Sequence, residues 1–196
     1  MKFILASGSP RRAEILYNAG FDFEILPADV DESVRPGESA ADCVRRLAEE
    51  KARATARRLA ATSDSNSSVV VAADTVVVVE NEILGKPASP DDARAMLRQL
   101  SGRTHEVLTG LAVLSLPHAE VRVVVESTRV TFARMTDREI EEYIASGEPF
   151  DKAGAYAIQA GGGKFVARIE GCYFNVMGLP LARLYSILRE VERKDE

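Results

Sequence analysis

The sequence predicts an α/β fold built on a mixed, twisted sheet flanked by helices. Three observations carry this. Strand-like and helix-like segments alternate through the first half of the chain. The run at 69–79, Val-Val-Val-Ala-Ala-Asp-Thr-Val-Val-Val-Val, is apolar enough to be a strand covered on both faces. Two strand-like runs then follow each other directly, at 106–116 and 121–133, joined by a turn at Pro117-His118. Strands adjacent in sequence exclude a purely parallel sheet.

Each element has its own signal. Phe3-Ile4-Leu5-Ala6 is a short apolar strand, and Ser7-Gly8-Ser9-Pro10-Arg11-Arg12 leads from it into a helix over 10–19. Ser9 suits the N-cap, Pro10 the first helical position and Gly20 the stop. Residues 21–26 alternate and read as a strand, and 27–37 is an acidic loop. Ser39-Ala40-Ala41-Asp42 resembles a capping box with Asp in place of Glu, opening a long helix to 61. A polar turn at 62–68 precedes the valine-rich strand. Ser89-Pro90-Asp91-Asp92 caps a helix stopping near Gly102, and Thr136-Asp137-Arg138-Glu139 is a capping box for a helix ending at Gly147. Residues 154–174 mix short strands with glycines, Gly161-Gly162-Gly163 reading as a flexible turn. An amphipathic helix over 179–193 closes the chain; its Leu181, Leu184, Leu188 and Val191 suit its own core or a partner equally. With no repeat, low-complexity tract or linker, residues 1–196 read as one domain.

A formal net charge of −5 argues against a nucleic-acid partner, which would call for a basic excess. It leaves room for a local basic pocket. No apolar stretch approaches a membrane span, and Met-Lys-Phe-Ile-Leu-Ala is too short an apolar run for a signal peptide. Cys43 and Cys172 are far apart, have no metal-like spacing and read as buried reduced thiols. The expected setting is cytoplasmic, with no membrane partner.

Asp74 is the most telling single residue. Only it and Thr75 are polar in the 69–79 run. A carboxylate there must be paired, bound to a metal or opened to a cleft, because a buried unpaired charge costs several kcal/mol or more. An ordinary alternative is a structural Asp held by backbone N–H groups. The Ser7–Arg12 hexapeptide places hydroxyls and guanidinium groups at a helix N-terminus, where the dipole favours an anion. Glu32 lies in an acidic loop of a kind that can hold Mg²⁺. Lys51 sits in the long helix, where most lysines are surface residues. Lys86 lies in the stiff turn Gly85-Lys86-Pro87, able to aim an ammonium at a phosphate. In Asp151-Lys152-Ala153-Gly154-Ala155-Tyr156-Ala157-Ile158-Gln159, small residues permit close backbone approach to a flat ligand, and the Gln159 amide can read a base edge. His105 and His118 lack metal or triad spacing and read as structural or exposed.

Taken together, Ser7-Gly8-Ser9-Pro10-Arg11-Arg12, Ala73-Asp74-Thr75-Val76-Val77, Gly85-Lys86-Pro87, the 151–159 segment and Asn175-Val176-Met177-Gly178-Leu179-Pro180 stand in the order seen in the Maf family. The chain resembles those nucleoside triphosphate pyrophosphatases over nearly its whole length. The resemblance implies a Maf and inosine-triphosphatase type of fold, with two lobes around a central cleft. It implies Mg²⁺- or Mn²⁺-dependent cleavage of a nucleoside triphosphate between the α- and β-phosphates, and a homodimer. Residue by residue, it implies Asp74 as proton acceptor for the attacking water, and Arg12, Thr75 and Gln159 as base-specificity positions of the subgroup acting on dTTP and UTP. Ser7, Arg11, Lys51 and Lys86 match the phosphate-holding groups, and Glu32, with Asp74, the acidic positions near the metal. Ala157 and Ala160 stand where Gly is common in the family. Two alternatives stay open: a pyrophosphatase for 7-methyl-GTP or other modified nucleotides, and a regulatory inhibitor of septum formation acting through a partner.

Overall fold

The computed structural model describes residues 2–61 and 68–195. The polar turn expected at 62–68 therefore lies, at 62–67, outside the described residues. Strand β1 (Lys2–Leu5) pairs in parallel with β2 (Glu24–Ile25) on one side and β3 (Ser68–Val79) on the other. The parallel crossovers contain helices α1 (Pro10–Asn18) and α2 (Ala40–Ala60). Strand β4 (Glu82–Leu84) folds back antiparallel on β3. Glu80 and Asn81 between them both have positive φ, 50° and 68°, as a tight hairpin turn requires. Then come α3 (Pro90–Leu100), β5 (Thr104–Ser115), β6 (Glu120–Phe132), α4 (Asp137–Ala145), β7 (Val166–Glu170), α5 (Tyr173–Val176) and α6 (Leu181–Asp195). The seven strands form one mixed sheet in the order β2-β1-β3-β5-β6-β7, with β4 on β3.

The chain divides into two compact units. One comprises Met1–Asp74, Thr109–Glu126 and Gly178–Glu196; the other Thr75–Leu108 and Ser127–Met177. In the first unit, Ile4, Ala6, Val70, Ala72, Ala112 and Leu114 of the sheet region meet Ala48, Ala52, Ala56 and Leu59 of α2. The alanines recur every four residues, so one smooth helix face lies close to the strands. The approach is tightest at Gly110, where an added Cβ would stand 2.0 Å from the Val44 carbonyl oxygen. Leu184, Ile187, Leu188 and Val191 of α6 are buried within the single chain, so most of this helix's apolar face serves its own core. The second unit packs α3 and α4 around Phe132, Tyr156 and Phe165, with Phe132 and Tyr156 edge-to-face at 4.8 Å.

Caps follow the sequence where side chains are long enough. Thr136 and Glu139 form the reciprocal box. Ser39 accepts from the Asp42 N–H, but the Asp42 carboxylate takes the Ser39 hydroxyl, so that cap is one-sided. Ser9 occupies its N-cap position without a side-chain cap bond. The strand expected over 21–26 shrinks to Glu24–Ile25. The Phe21 N–H bonds back to the Leu16 carbonyl, and Phe21 and Phe23 gather on the Phe3 ring at 5.4 and 6.5 Å. Residues 154–174 contain one strand, β7, not several. Gly154 and Ala155 at φ 69° and 60° turn the chain out of extended geometry, and 3₁₀ turns at Ala153–Ala155 and Gly161–Phe165 replace pairing. Cys43 is buried as expected, whereas Cys172 is only half-buried; both are free thiols.

Candidate active site

In the first unit, Asp74 and Lys51 build a buried ion pair. β3 is covered along nearly its whole length, and Asp74 within it is 9 % exposed. Lys51, 7 % exposed despite its place on a polar-rich helix, brings Nζ to 2.7 Å from Asp74 Oδ1. The same ammonium lies 2.6 Å from Glu32 Oε1, on the loop after β2. Asp74 thus has a partner in another residue of the predicted set. The charge is compensated as burial demands.

The hexapeptide after β1 organises itself around Ser7. Ser7 Oγ accepts from the Ser9 N–H at 3.2 Å and from Arg12 Nη1 at 3.0 Å. Arg12 Nε donates to the Gly178 carbonyl at 2.8 Å, fixing the guanidinium plane from a second side. Burial lowers the Arg12 pKa from its ordinary value; Asp74 acts against this, and Arg11 reinforces it. Arg12 is buried and Arg11 half-buried beside it. Arg11, Arg12 and Lys51 outnumber Glu32 and Asp74, so a locally cationic group sits in a chain of net −5.

Sequence reasoning missed Arg46, which fastens the acidic loop. It donates to the Ser33 carbonyl at 3.0 Å and to both Glu38 oxygens at 2.6 and 2.7 Å. Those bonds, with the Arg35 N–H, hold the Glu38 carboxyl at about 2. The only local signal is an Arg eight residues after a Glu across a helix start, which is too common to read.

Thr75, Lys86 and Gln159 belong to the second unit. Thr75 follows Asp74 on β3 and so takes the opposite face of the strand. Lys86 is exposed on the loop after β4. The Gly85 carbonyl of that loop accepts from the Gly154 N–H at 3.0 Å, joining it to the segment leading to Gln159. Here the small residues serve the protein's own packing: a Cβ on Gly154 would come within 2.9 Å of the Val77 side chain. Lys152 also turns inward, donating to the Glu148 carbonyl at 2.7 Å and pairing with Asp151. Gln159 is half-buried. His105 is buried against Phe132 and Tyr156, and His118 is exposed.

Among the described residues no three His, Cys, Asp or Glu side chains cluster as a metal cage. The Glu32 and Asp74 oxygens do converge on one cationic point, occupied by the Lys51 ammonium. Two hard carboxylate donors fit Mg²⁺ or Mn²⁺ when substrate phosphates and water supply the remaining ligands. No helix among the described residues is long and apolar enough to cross a membrane.

Fold and site define an α/β protein with a cationic group built around a buried strand carboxylate. The chain belongs to the Maf family: the sequence profile described as Maf-like protein matches residues 2–191. It is 50 % identical over 189 residues to a protein of Hahella chejuensis named dTTP/UTP pyrophosphatase, covering 96 % of this chain and 92 % of the relative. Proteins of the same name from Carboxydothermus hydrogenoformans and Anaeromyxobacter dehalogenans are 50 % and 51 % identical. These matches cover 97 % and 96 % of this chain, and 98 % and 93 % of the relatives.

Proposed function

We propose that this protein hydrolyses dTTP and UTP to the nucleoside monophosphate and pyrophosphate. The observation that carries the reading is the 2.7 Å pair between Asp74, inside the valine-rich strand, and Lys51 of α2. A carboxylate is costly there and is expected at a site of chemistry. Relatives of about half identity bearing the dTTP/UTP pyrophosphatase name support the substrate class. Residues 1–196 act as one functional domain.

In this reading Asp74 accepts a proton from water as the oxygen attacks the α-phosphorus. The α–β bridging bond breaks, and pyrophosphate leaves with its electron pair. Lys51 orients the Asp74 carboxylate and, with Ser7, Arg11 and Lys86, meets the negative charge of the phosphates. Arg12, Thr75 and Gln159 select the base, the Gln159 amide offering one acceptor and two donors. Glu32 and Asp74 would hold the divalent cation, which neutralises phosphate charge and polarises the phosphoryl oxygens. The free thiols of Cys43 and Cys172 fit a cytoplasmic setting. The proposed assembly is a homodimer, which light scattering would check.

The test is pyrophosphate release from dTTP, UTP, CTP, 5-methyl-UTP, GTP, ITP and 7-methyl-GTP, with Mg²⁺, Mn²⁺ or EDTA. Metal-dependent release confined mainly to dTTP and UTP is expected. Preferential release from 7-methyl-GTP or a purine substrate would overturn the specificity, and no release by folded protein would overturn the reaction.

A further inference from the structure

No strand holds Gln159. It lies between two 3₁₀ turns, Ala153–Ala155 and Gly161–Phe165, so sheet hydrogen bonds do not fix its place. Side chains do. The Tyr143 hydroxyl, on α4, accepts from the Ala157 N–H at 3.2 Å and donates to Glu148 Oε1 at 2.6 Å. Glu148 in turn accepts from the Gly161 N–H at 3.0 Å and the Gly162 N–H at 3.1 Å. The relay ties the chain two residues before Gln159 to the chain two residues after it.

The fit leaves no room for a side chain at Gly162 or Gly163. A Cβ on Gly162 would stand 2.6 Å from Tyr143 Oη and 2.9 Å from the Ala157 carbonyl; one on Gly163 would stand 2.4 Å from the Ile158 carbonyl. Gly162 and Gly163 are therefore close-packed within a 3₁₀ turn, where the sequence suggested a flexible one, and Gly161 is exposed. Tyr143 is 3 % exposed, its ring edge-on to Phe165 at 5.5 Å, so the hydroxyl is held by the core. Burial acts to raise the Glu148 carboxyl, but the bonds from Tyr143, Gly162 and Gly161 outweigh it and keep it below the ordinary carboxylate value. On the same segment Tyr156 enters the core, where its hydroxyl meets His105 Nε2 at 2.9 Å.

We propose that Tyr143 and Glu148 are positioning residues for base selection, clamping the backbone on both sides of Gln159 so that its amide meets the pyrimidine at one place and angle. This rests on the reading of Gln159 as a base-selecting residue. Loss of the clamp should act on recognition more than on the phosphoryl chemistry, since it frees the 157–162 segment and touches none of the residues assigned to the phosphates or to proton transfer.

The experiment compares Tyr143→Phe, Glu148→Gln, Gln159→Ala and the Glu148→Gln/Gln159→Ala double variant in the full chain, with kcat and KM for dTTP, UTP, CTP and GTP. Tyr143→Phe and Glu148→Gln should each raise KM for dTTP about tenfold, lower kcat less, and reduce preference for dTTP over GTP about tenfold. The double variant should discriminate no worse than Gln159→Ala, because both changes act through one amide. Unchanged preference in Tyr143→Phe, which keeps the ring packing should Glu148→Gln fold poorly, overturns the proposal if Gln159→Ala lowers it. Additive losses in the double variant also overturn it. A Gln159→Ala protein with unaltered preference removes the base-selecting role itself, and the clamp's function with it.

Discussion

Acidification should destabilise the unit that carries Gln159, and one imidazole accounts for a calculable part of the loss. His105 is 2 % exposed, and burial lowers its pKa from 6.5 to about 4. Its Nε2 meets Tyr156 Oη, while Nδ1 has no hydrogen-bond partner among the described residues. The unfolded chain takes up this proton near the ordinary value; the folded chain resists it until about 4. Between the two, the unfolded state binds more protons, so stability falls as pH falls and the effect levels off below the folded value. The gap, at about 1.4 kcal/mol per pH unit, amounts to roughly 3 kcal/mol in full, with about 1.4 kcal/mol already lost by about pH 5.5. Carboxylates titrate as well, so the quantity to read is the difference between wild type and His105→Gln, whose amide can meet Tyr156 without titrating. Urea unfolding at about pH 7.5 and about pH 5.5, followed by tyrosine near-ultraviolet circular dichroism, is the assay. Trp is absent, and Tyr143 and Tyr156 are buried in this unit. Wild type should lose about 1.4 kcal/mol more than the variant over that interval. Equal losses would refute the reasoning, since His105 would then protonate as readily folded as unfolded.

Three further outcomes are expected. Asp74→Asn keeps an acceptor for Lys51 and should fold, but should lose about 10²-fold or more of turnover; full activity would sink the general-base assignment. Lys51→Met leaves the Asp74 charge buried without its cation and should cost about 3–5 kcal/mol in urea unfolding. An unchanged midpoint would show that solvent replaces the ammonium at no cost. Gly110→Ala drives a methyl into the Val44 carbonyl and should cost at least about 3 kcal/mol or prevent folding, read as soluble yield and melting temperature.

Much of the fold was legible because local signals and tertiary demands agree. The valine run forms the strand its composition calls for, and the Thr136/Glu139 box marks the start of its helix by local hydrogen bonds. Asp74 announced itself by contrast with its neighbours. Where local reading erred, a long-range contact had intervened. Phe21 and Phe23 serve Phe3 and not a longer strand, and the 151–159 segment is bent by its approach to Val77. Arg46, Tyr143 and Glu148 left no mark in the sequence, because each joins several groups, many of them backbone atoms, whose residue types carry no signal.

The sequence by itself determined the α/β class and the main helices and strands, and it singled out Asp74 as a carboxylate in need of a partner. These depend on periodicity, capping and the cost of a charge among valines, all properties of short windows. Only the tertiary structure decided that Asp74 is paired with Lys51 and Lys51 with Glu32, that Arg12 is fixed between Ser7 and Gly178, and that Gln159 lies within the Tyr143–Glu148 clamp. Most of those contacts join residues far apart in the chain. Their hydrogen bonds and ion pairs require distances near 3 Å, which packing of the cores sets and no local pattern encodes.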